Sequence, residues 1–384
     1  MSRRETAPWS GAVPVPGTEP RPRAVRHSAP GKLFIAGEYA VLEPGHPALL
    51  IAVDRHVHAE VSGLPGGSPL ARADVVIRSD LYAGEVRWRR GDEAPAGLGH
   101  VVSAIAVVDE LLAAGGLPSP PIHVTIESDL HRGGTKIGLG SSGAVTVAVV
   151  SAVAAYAGLA LSPEERFRLA LVATARHSTR ASGGDLAASV WGGWIAYRAP
   201  DRAAVLDLVE RSGIAVALRV PWPGFGVRRL PPPRGLELAV GWTGEPASTG
   251  SLAGRLGAGE WSGSASHRTF VARSDACVHA AVRALERGAG RELMHQVRVA
   301  RLLLANLDAE VQLGIFTARL TALCEAAEAV GGAAKPSGAG GGDCGLAFLD
   351  AAAHGDVSQL RKEWAAAGVL PLPIRVEPMN GSEQ

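Results

Sequence analysis

The hydrophobic pattern divides the chain into short alternating runs and longer apolar ones. In PIHVTIES, residues 121–128, Ile122, Val124 and Ile126 recur at every second position, the signature of a strand with one buried face. ADVVIRS (73–79), HVHAEV (56–61), LELAVGWTG (236–244), GLAFLD (345–350) and LPIRVEP (372–378) read as further strands. KLFIAGEYAVL (32–42) reads as a strand that turns at EPGHP, and SVWGGWIAY (189–197) as a strand pair or a bulged strand. Helical runs lie between them. LGHVVSAIAVVDELLAAGG (98–116) is closed by glycine. SPEERFRLALVATARHS (162–178) opens with Ser162 at the N-cap, Pro163 at the first helical position and Glu165 completing a capping box. Helical patterns also fill about 265–330 and DVSQLRKEWAAAG (356–368). This succession predicts an α+β or α/β class.

One run needs a separate decision. Gly143 to Leu161 carries no charge over 19 residues, long enough to span a bilayer. It is mostly Ala, Val, Gly, Ser and Thr rather than Leu-rich, and it stands alone. A helix buried in a protein core is expected, with no membrane association. Residues 1–24 are rich in Pro, Arg and Gly without an apolar stretch, which predicts a disordered tail rather than a secretory signal. The proline-rich RVPWPGFGVRRLPPPRG (219–235) marks the neighbourhood of a division, and two domains are expected, 25–215 and 216–384.

Composition narrows the function. The 38 basic and 37 acidic residues nearly cancel, so no basic field for nucleic acid is present. Three scattered cysteines, Cys277, Cys324 and Cys344, suit neither a disulfide framework nor a zinc site, and a reducing, cytoplasmic setting is expected. Only four of the basic residues are lysine. Lys32, Lys136 and Lys335 adjoin glycine-bearing stretches, and a compact ammonium suits phosphate.

KIGLGSSGAV (136–145) contains G-x-G-x-x-G and runs into the long apolar helix. A dinucleotide fold needs a strand leading directly into the glycines, and here SDLHRGGTK intervenes. The protein-kinase pattern lacks its H-R-D and D-F-G companions, and the Walker pattern lacks G-K-[ST]. A loop opening onto a helix remains. Its backbone N–H groups and the helix dipole favour an anion, and Ser141 and Ser142 add hydroxyls for phosphate or Mg²⁺. The chemistry implied is binding of a nucleoside triphosphate.

Three stretches together carry a resemblance: APGKLFIAGEYAVL (29–42), KIGLGSSGAV and KPSGAGGGDCGLAF (335–348). In this order they resemble the motifs of the GHMP kinase superfamily, over about residues 27–378. GEYAVLEPG, with Tyr39 where mevalonate kinases usually carry His, is similar to the bacterial phosphomevalonate kinase branch, as are SGGDLAASVWGGWIAY and VGWTGEPAST. The resemblance implies an α+β, two-domain GHMP kinase fold: an N-terminal ribosomal-protein-S5-domain-2-like unit and a C-terminal ferredoxin-like unit, with ATP and acceptor meeting between them.

It also implies roles. Lys32 and Asp185 are the expected catalytic pair. Lys136, Gly138, Leu139, Gly140, Ser141, Ser142 and Gly143 are expected at the ATP phosphates. Tyr39, Ser182, Ser337, Gly338 and Ala339 are expected on the acceptor side, with His46 and Arg180 as weaker candidates and Ser248, Thr249 and Ser251 as hydroxyls for phosphate or a helix cap. Ser142 is assigned to Mg²⁺ and Ser141 to phosphate, an assignment the two could exchange. Some relatives place a glutamate 11 residues before the aspartate; here position 174 is Thr, and residues 170–184 hold no acid. The expected activity is ATP-dependent phosphorylation of phosphomevalonate by a monomer or homodimer. Mevalonate kinase, another small-molecule kinase, or a non-catalytic ATP and metabolite sensor are the alternatives.

Overall fold

The computed structural model describes residues 23–64, 74–178, 180–246, 252, 256 and 261–378. Residues 1–22 of the expected tail lie outside the described residues, as do Ser248, Thr249 and Ser251. Ala24, the tail's last expected residue, already begins a strand.

The N-terminal unit is built on one sheet. Its strands are β1 (Ala24–Ala36), β2 (Pro47–Gly63), β3 (Val75–Ser79), β4 (Glu85–Trp88), β5 (Ile122–Ser128), β8 (Trp194–Arg198) and β9 (Gly226–Leu230). The order is β4-β3-β5-β2-β8-β9, with β1 also paired to β2. A small hairpin, β6 (His131–Arg132) with β7 (Thr135–Lys136), leads into the glycine loop. Helices α1 (Gly99–Ala114), α2 (Ser141–Tyr156), α3 (Pro163–His177) and α4 (Gly184–Trp191) pack together, and α2 and α4 lie against β1 and β2. The uncharged run becomes α2, buried on nearly every side. Among the described residues no helix is long and apolar enough to cross a membrane. The capping box of α3 forms as its residues require: Ser162 Oγ accepts from Glu165 N, and Glu165 Oε2 accepts from Ser162 N.

Three strand expectations change, the first being LPIRVEP, which gives strand only at Leu372, at the end of Leu370–Leu372, and an isolated bridge from Val376 to Val53. β1 stops at Ala36, because Gly37 takes φ 95° and Tyr39 φ 61°, and Ala40–Leu42 closes as a 3₁₀ turn. In SVWGGWIAY only WIAY and Arg198 form a strand; the first residues finish α4, and Gly192 and Gly193, both at positive φ, make the turn.

After α5 (Arg202–Ser212) and α6 (Ile214–Ala217), β9 returns to pair with β8. A division at 215/216 would cut α6 and remove an edge strand from its sheet, so we place the division after Leu230. The C-terminal unit follows as β10 (Leu236–Trp242), α7 (Ala265–Arg287), α8 (Gly290–Val311), α9 (Ala318–Ala329), β11 (Ala333–Pro336), β12 (Cys344–Asp350), α10 (His354–Ala366) and β13 (Leu370–Leu372). The sheet order β11-β12-β10-β13 is the ferredoxin-like arrangement, with α7 and α8 added ahead of its first helix. A single buried cluster runs through both units, from Leu33 and Leu50 to Phe348 and Leu304.

Candidate active site

The three motifs meet in one cleft of about 450 Å³ between the units. Gly140, at φ 80°, is the N-cap of α2 and turns the loop so that the first helical residues, Ser141, Ser142 and Gly143, face the cleft. These N–H groups have no intrahelical acceptor, an arrangement that favours an anion. Gly143 is needed for a second reason: a Cβ there would lie 2.5 Å from Asp185 Oδ2. Asp185 is the second residue of α4, not its cap, which is Gly183. Its Oδ1 accepts from Leu186 N at 3.0 Å.

Lys32 enters from β1. Its backbone N donates to the Leu139 carbonyl (2.8 Å), and its Nζ donates to the Gly138 carbonyl (3.1 Å) and lies 5.6 Å from the Phe34 ring. Burial pushes the Lys32 pKa down, while the charges of Asp185 and Asp343 hold it up. Burial likewise pushes Asp185 up against the opposing pull of Lys32. Each is thus the other's electrostatic partner without a hydrogen bond between them.

The residues expected on the acceptor side line the same cleft. Ser337, Gly338 and Ala339 approach β1 from the C-terminal unit. The Ser337 hydroxyl is engaged with Phe34, accepting from its N–H at 2.8 Å, and Tyr39 Oη donates to the Ala339 carbonyl at 2.5 Å. Both residues therefore hold the units together as well as facing the cleft. Ser182 Oγ accepts from Gly184 N (3.2 Å), and its carbonyl accepts from Tyr197 Oη (2.7 Å).

Four expectations shift. The Leu139 side chain belongs to the core and only its backbone serves the loop. Lys136 is exposed at the rim, on the β6–β7 hairpin. Lys335 does not reach the cleft at all: it is fully buried and ion-paired with Glu38. His46 bonds Asp275 instead (2.8 Å), while Arg180 does line the cleft.

Several cleft residues escaped the sequence reading. Asp343, in the third motif at φ 55°, packs against Gly138. Thr174 is buried in the cleft wall, and its Oγ1 has no hydrogen-bond partner. His100 and His177 stand edge to face, 5.0 Å apart, near Lys136. Burial, with His177 and Lys136 nearby, pushes His100 down to about 4. The pairing of α1 with the end of α3 is what brings these histidines together, and no local motif marks it.

Comparison with known proteins gives a consistent result. The family model for the GHMP kinases N terminal domain matches residues 100–193, and that for the GHMP kinases C terminal matches residues 281–368. The chain is 58% identical over 362 residues to a phosphomevalonate kinase of Streptomyces sp. (strain CL190), covering 91% of this chain and 96% of that one. It is 29% identical over 327 residues to a mevalonate kinase of Aeropyrum pernix, covering 84% and 87%. Among solved structures, Streptococcus pneumoniae phosphomevalonate kinase in complex with phosphomevalonate and AMPPNP superposes with a TM-score of 0.81 at 30% identity, covering 92% of this chain and 99% of that one.

Proposed function

We propose, from the premise that this chain belongs to the GHMP kinase family, that it transfers the γ-phosphoryl group of ATP to the phosphate of 5-phosphomevalonate, giving ADP and 5-diphosphomevalonate. The observation that carries the acceptor is 58% identity over nearly the whole Streptomyces phosphomevalonate kinase, twice that to the Aeropyrum pernix mevalonate kinase.

The cleft supports this chemistry. The α2 N-terminus and Ser141 receive the triphosphate. Lys32 sits where the acceptor phosphate and the γ-phosphoryl group must meet, and its charge offsets the repulsion of two anions. The acceptor phosphate has a second pKa near 6 and is mostly a dianion at neutral pH, so no enzyme base has to take a proton. Asp185 then serves to keep Lys32 charged across the Gly140–Gly143 turn.

Mg²⁺ fits the oxygens present. The Ser142 hydroxyl, the unpartnered Thr174 Oγ1 and the Asp185 carboxylate are hard donors from residues that line the same cleft, and Mg²⁺ needs few protein ligands beside phosphate and water. When bound, the ion supplies charge neutralisation at the phosphates. Three free, buried cysteines favour a reducing, cytoplasmic setting. ADP release measured with phosphomevalonate, mevalonate, galactose and homoserine tests the reading. Turnover with phosphomevalonate above the other three is expected. Preference for mevalonate would move the assignment to mevalonate kinase, and ATP binding without turnover would make the chain a sensor.

A further inference from the structure

The turn after β1 is strained. Tyr39 has φ 61° and ψ −47°, and the Ala40 N–H donates to the Glu38 carbonyl at 2.7 Å. This is a γ-turn of the rare, unfavourable hand. Among the described residues only Tyr39, Gln312 and Asp343 hold positive φ without being glycine. Gln312 closes α8, whereas Tyr39 and Asp343 line the cleft. Such a conformation persists only where its surroundings over-determine it.

We propose that Lys335, which does not reach the cleft, is a positioning residue for the acceptor: paired with Glu38, it holds Tyr39 in this turn and so fixes the Ser337–Ala339 loop. The inference rests on the function proposed above, with that loop on the acceptor side.

Alternate residues of the third motif tie the turn down. Lys335 Nζ pairs with Glu38, donates to the Pro336 carbonyl (2.7 Å) and faces the Phe34 carbonyl at 3.5 Å. An ammonium carries three N–H donors, so each has an acceptor. Ser337 Oγ accepts from Phe34 N, and the Ala339 carbonyl accepts from Tyr39 Oη. All of these reach the stretch Phe34–Tyr39. The backbone at Tyr39 is thus held on both sides, by Glu38 before it and by the Leu42 N–H on its own carbonyl after it (3.1 Å).

Stability alone does not call for a charged pair here. Apolar side chains of similar volume often stabilise a buried site as well or better. They have no preferred direction, whereas an ammonium among three fixed acceptors does. Direction matters at Tyr39, because its ring reaches across to the C-terminal unit against the turn's own preference. Without the pair the turn relaxes towards negative φ, Tyr39 Oη leaves the Ala339 carbonyl, and the loop shifts in the cleft. A small displacement at a reacting site has an effect out of proportion to its size.

The test is the double variant Glu38→Leu with Lys335→Met, which removes both buried charges together. Its urea midpoint is expected near that of wild type. Its KM for 5-phosphomevalonate is expected to rise about tenfold, with the KM for ATP within about twofold of wild type. Tyr39→Phe deletes the Oη bond to Ala339. It is expected to show the same split and to add little when combined with the double variant. A merely structural pair would leave both KM values at wild type once stability is recovered, and that result overturns the proposal. So does an equal rise in both KM values, which marks a general loosening of the cleft. If the double variant does not fold, Tyr39→Phe carries the test, and a wild-type acceptor KM in it overturns the positioning role. A wild type that does not turn over phosphomevalonate overturns the functional reading and this inference with it.

Discussion

Lys335 and Glu38 form an ion pair closed to solvent on both sides, the side chains being 0% and 3% exposed. It joins β11 of the C-terminal unit to the turn after β1, next to Tyr39. Lys335 Nζ also donates to the Pro336 carbonyl at 2.7 Å. Lys335→Met should leave the Glu38 charge buried alone and cost about 3–5 kcal/mol. The double substitution Glu38→Leu with Lys335→Met should recover most of that. Urea unfolding measures both, and a loss under about 1 kcal/mol in the single variant would remove the pair from any structural role.

Gly140 and Gly143, in the turn into α2, have no room for a side chain. Gly140 has φ 80°, and a Cβ there would lie 2.9 Å from Lys32 Cγ. Gly140→Ala and Gly143→Ala should each displace a charged group and lower kcat by about 10²-fold or more, with the fold retained in circular dichroism. Ser142→Ala should cost roughly 10²-fold in kcat, as loss of one preorganised donor does. Wild-type turnover in Ser142→Ala would exclude that hydroxyl from the phosphates and the metal.

Lys32→Met should lower kcat far more than it weakens ATP binding, because the charge is needed most as the phosphoryl group transfers. If Asp185 works through Lys32, Asp185→Asn should be damaging but not null, and Lys32→Met should add little to it. Losses that sum in full across the double variant would make the two independent. The kcat profile should show no limb near pH 6–7 from an enzyme base.

His100 makes stability depend on acidity. Its folded pKa of about 4 lies below the ordinary value of 6.5. Between these values the unfolded chain binds a proton that the folded chain does not, so stability falls as pH drops from 6.5 to 4 and is level below that. The effect is at most about 3 kcal/mol. Thermal melts from pH 7 to 4 should show a shallower decline for His100→Phe than for wild type. Identical slopes would assign the acid sensitivity to other groups.

Much of the site could be read from the chain because its parts are local. The glycine loop and its helix are contiguous, so residues 138–143 announce an anion site without any tertiary contact. The capping box at Ser162 and the alternation of Ile122, Val124 and Ile126 are equally local and appear as expected. Lys335 shows the limit. It shares with Lys32 its glycine neighbours and its rarity, yet it lies within the interface, because Glu38 waits for it 297 residues away.

Local order and an anion-favouring loop ahead of a helix were determined by residue spacing, since periodicity, capping and turn chemistry act over a few neighbours, while the α+β kinase fold was read from the resemblance of three motifs. What only the tertiary structure decided are the pairings across the chain: Ser337 with Phe34, Tyr39 with Ala339, Asp343 over Gly138, Lys335 with Glu38. It also moved β9 into the first sheet, past the expected division. Such contacts depend on how two units pack, and burial then sets how strongly Lys32 and Asp185 feel each other. No spacing rule contains that energy, because it arises from removing water between groups that the sequence keeps far apart.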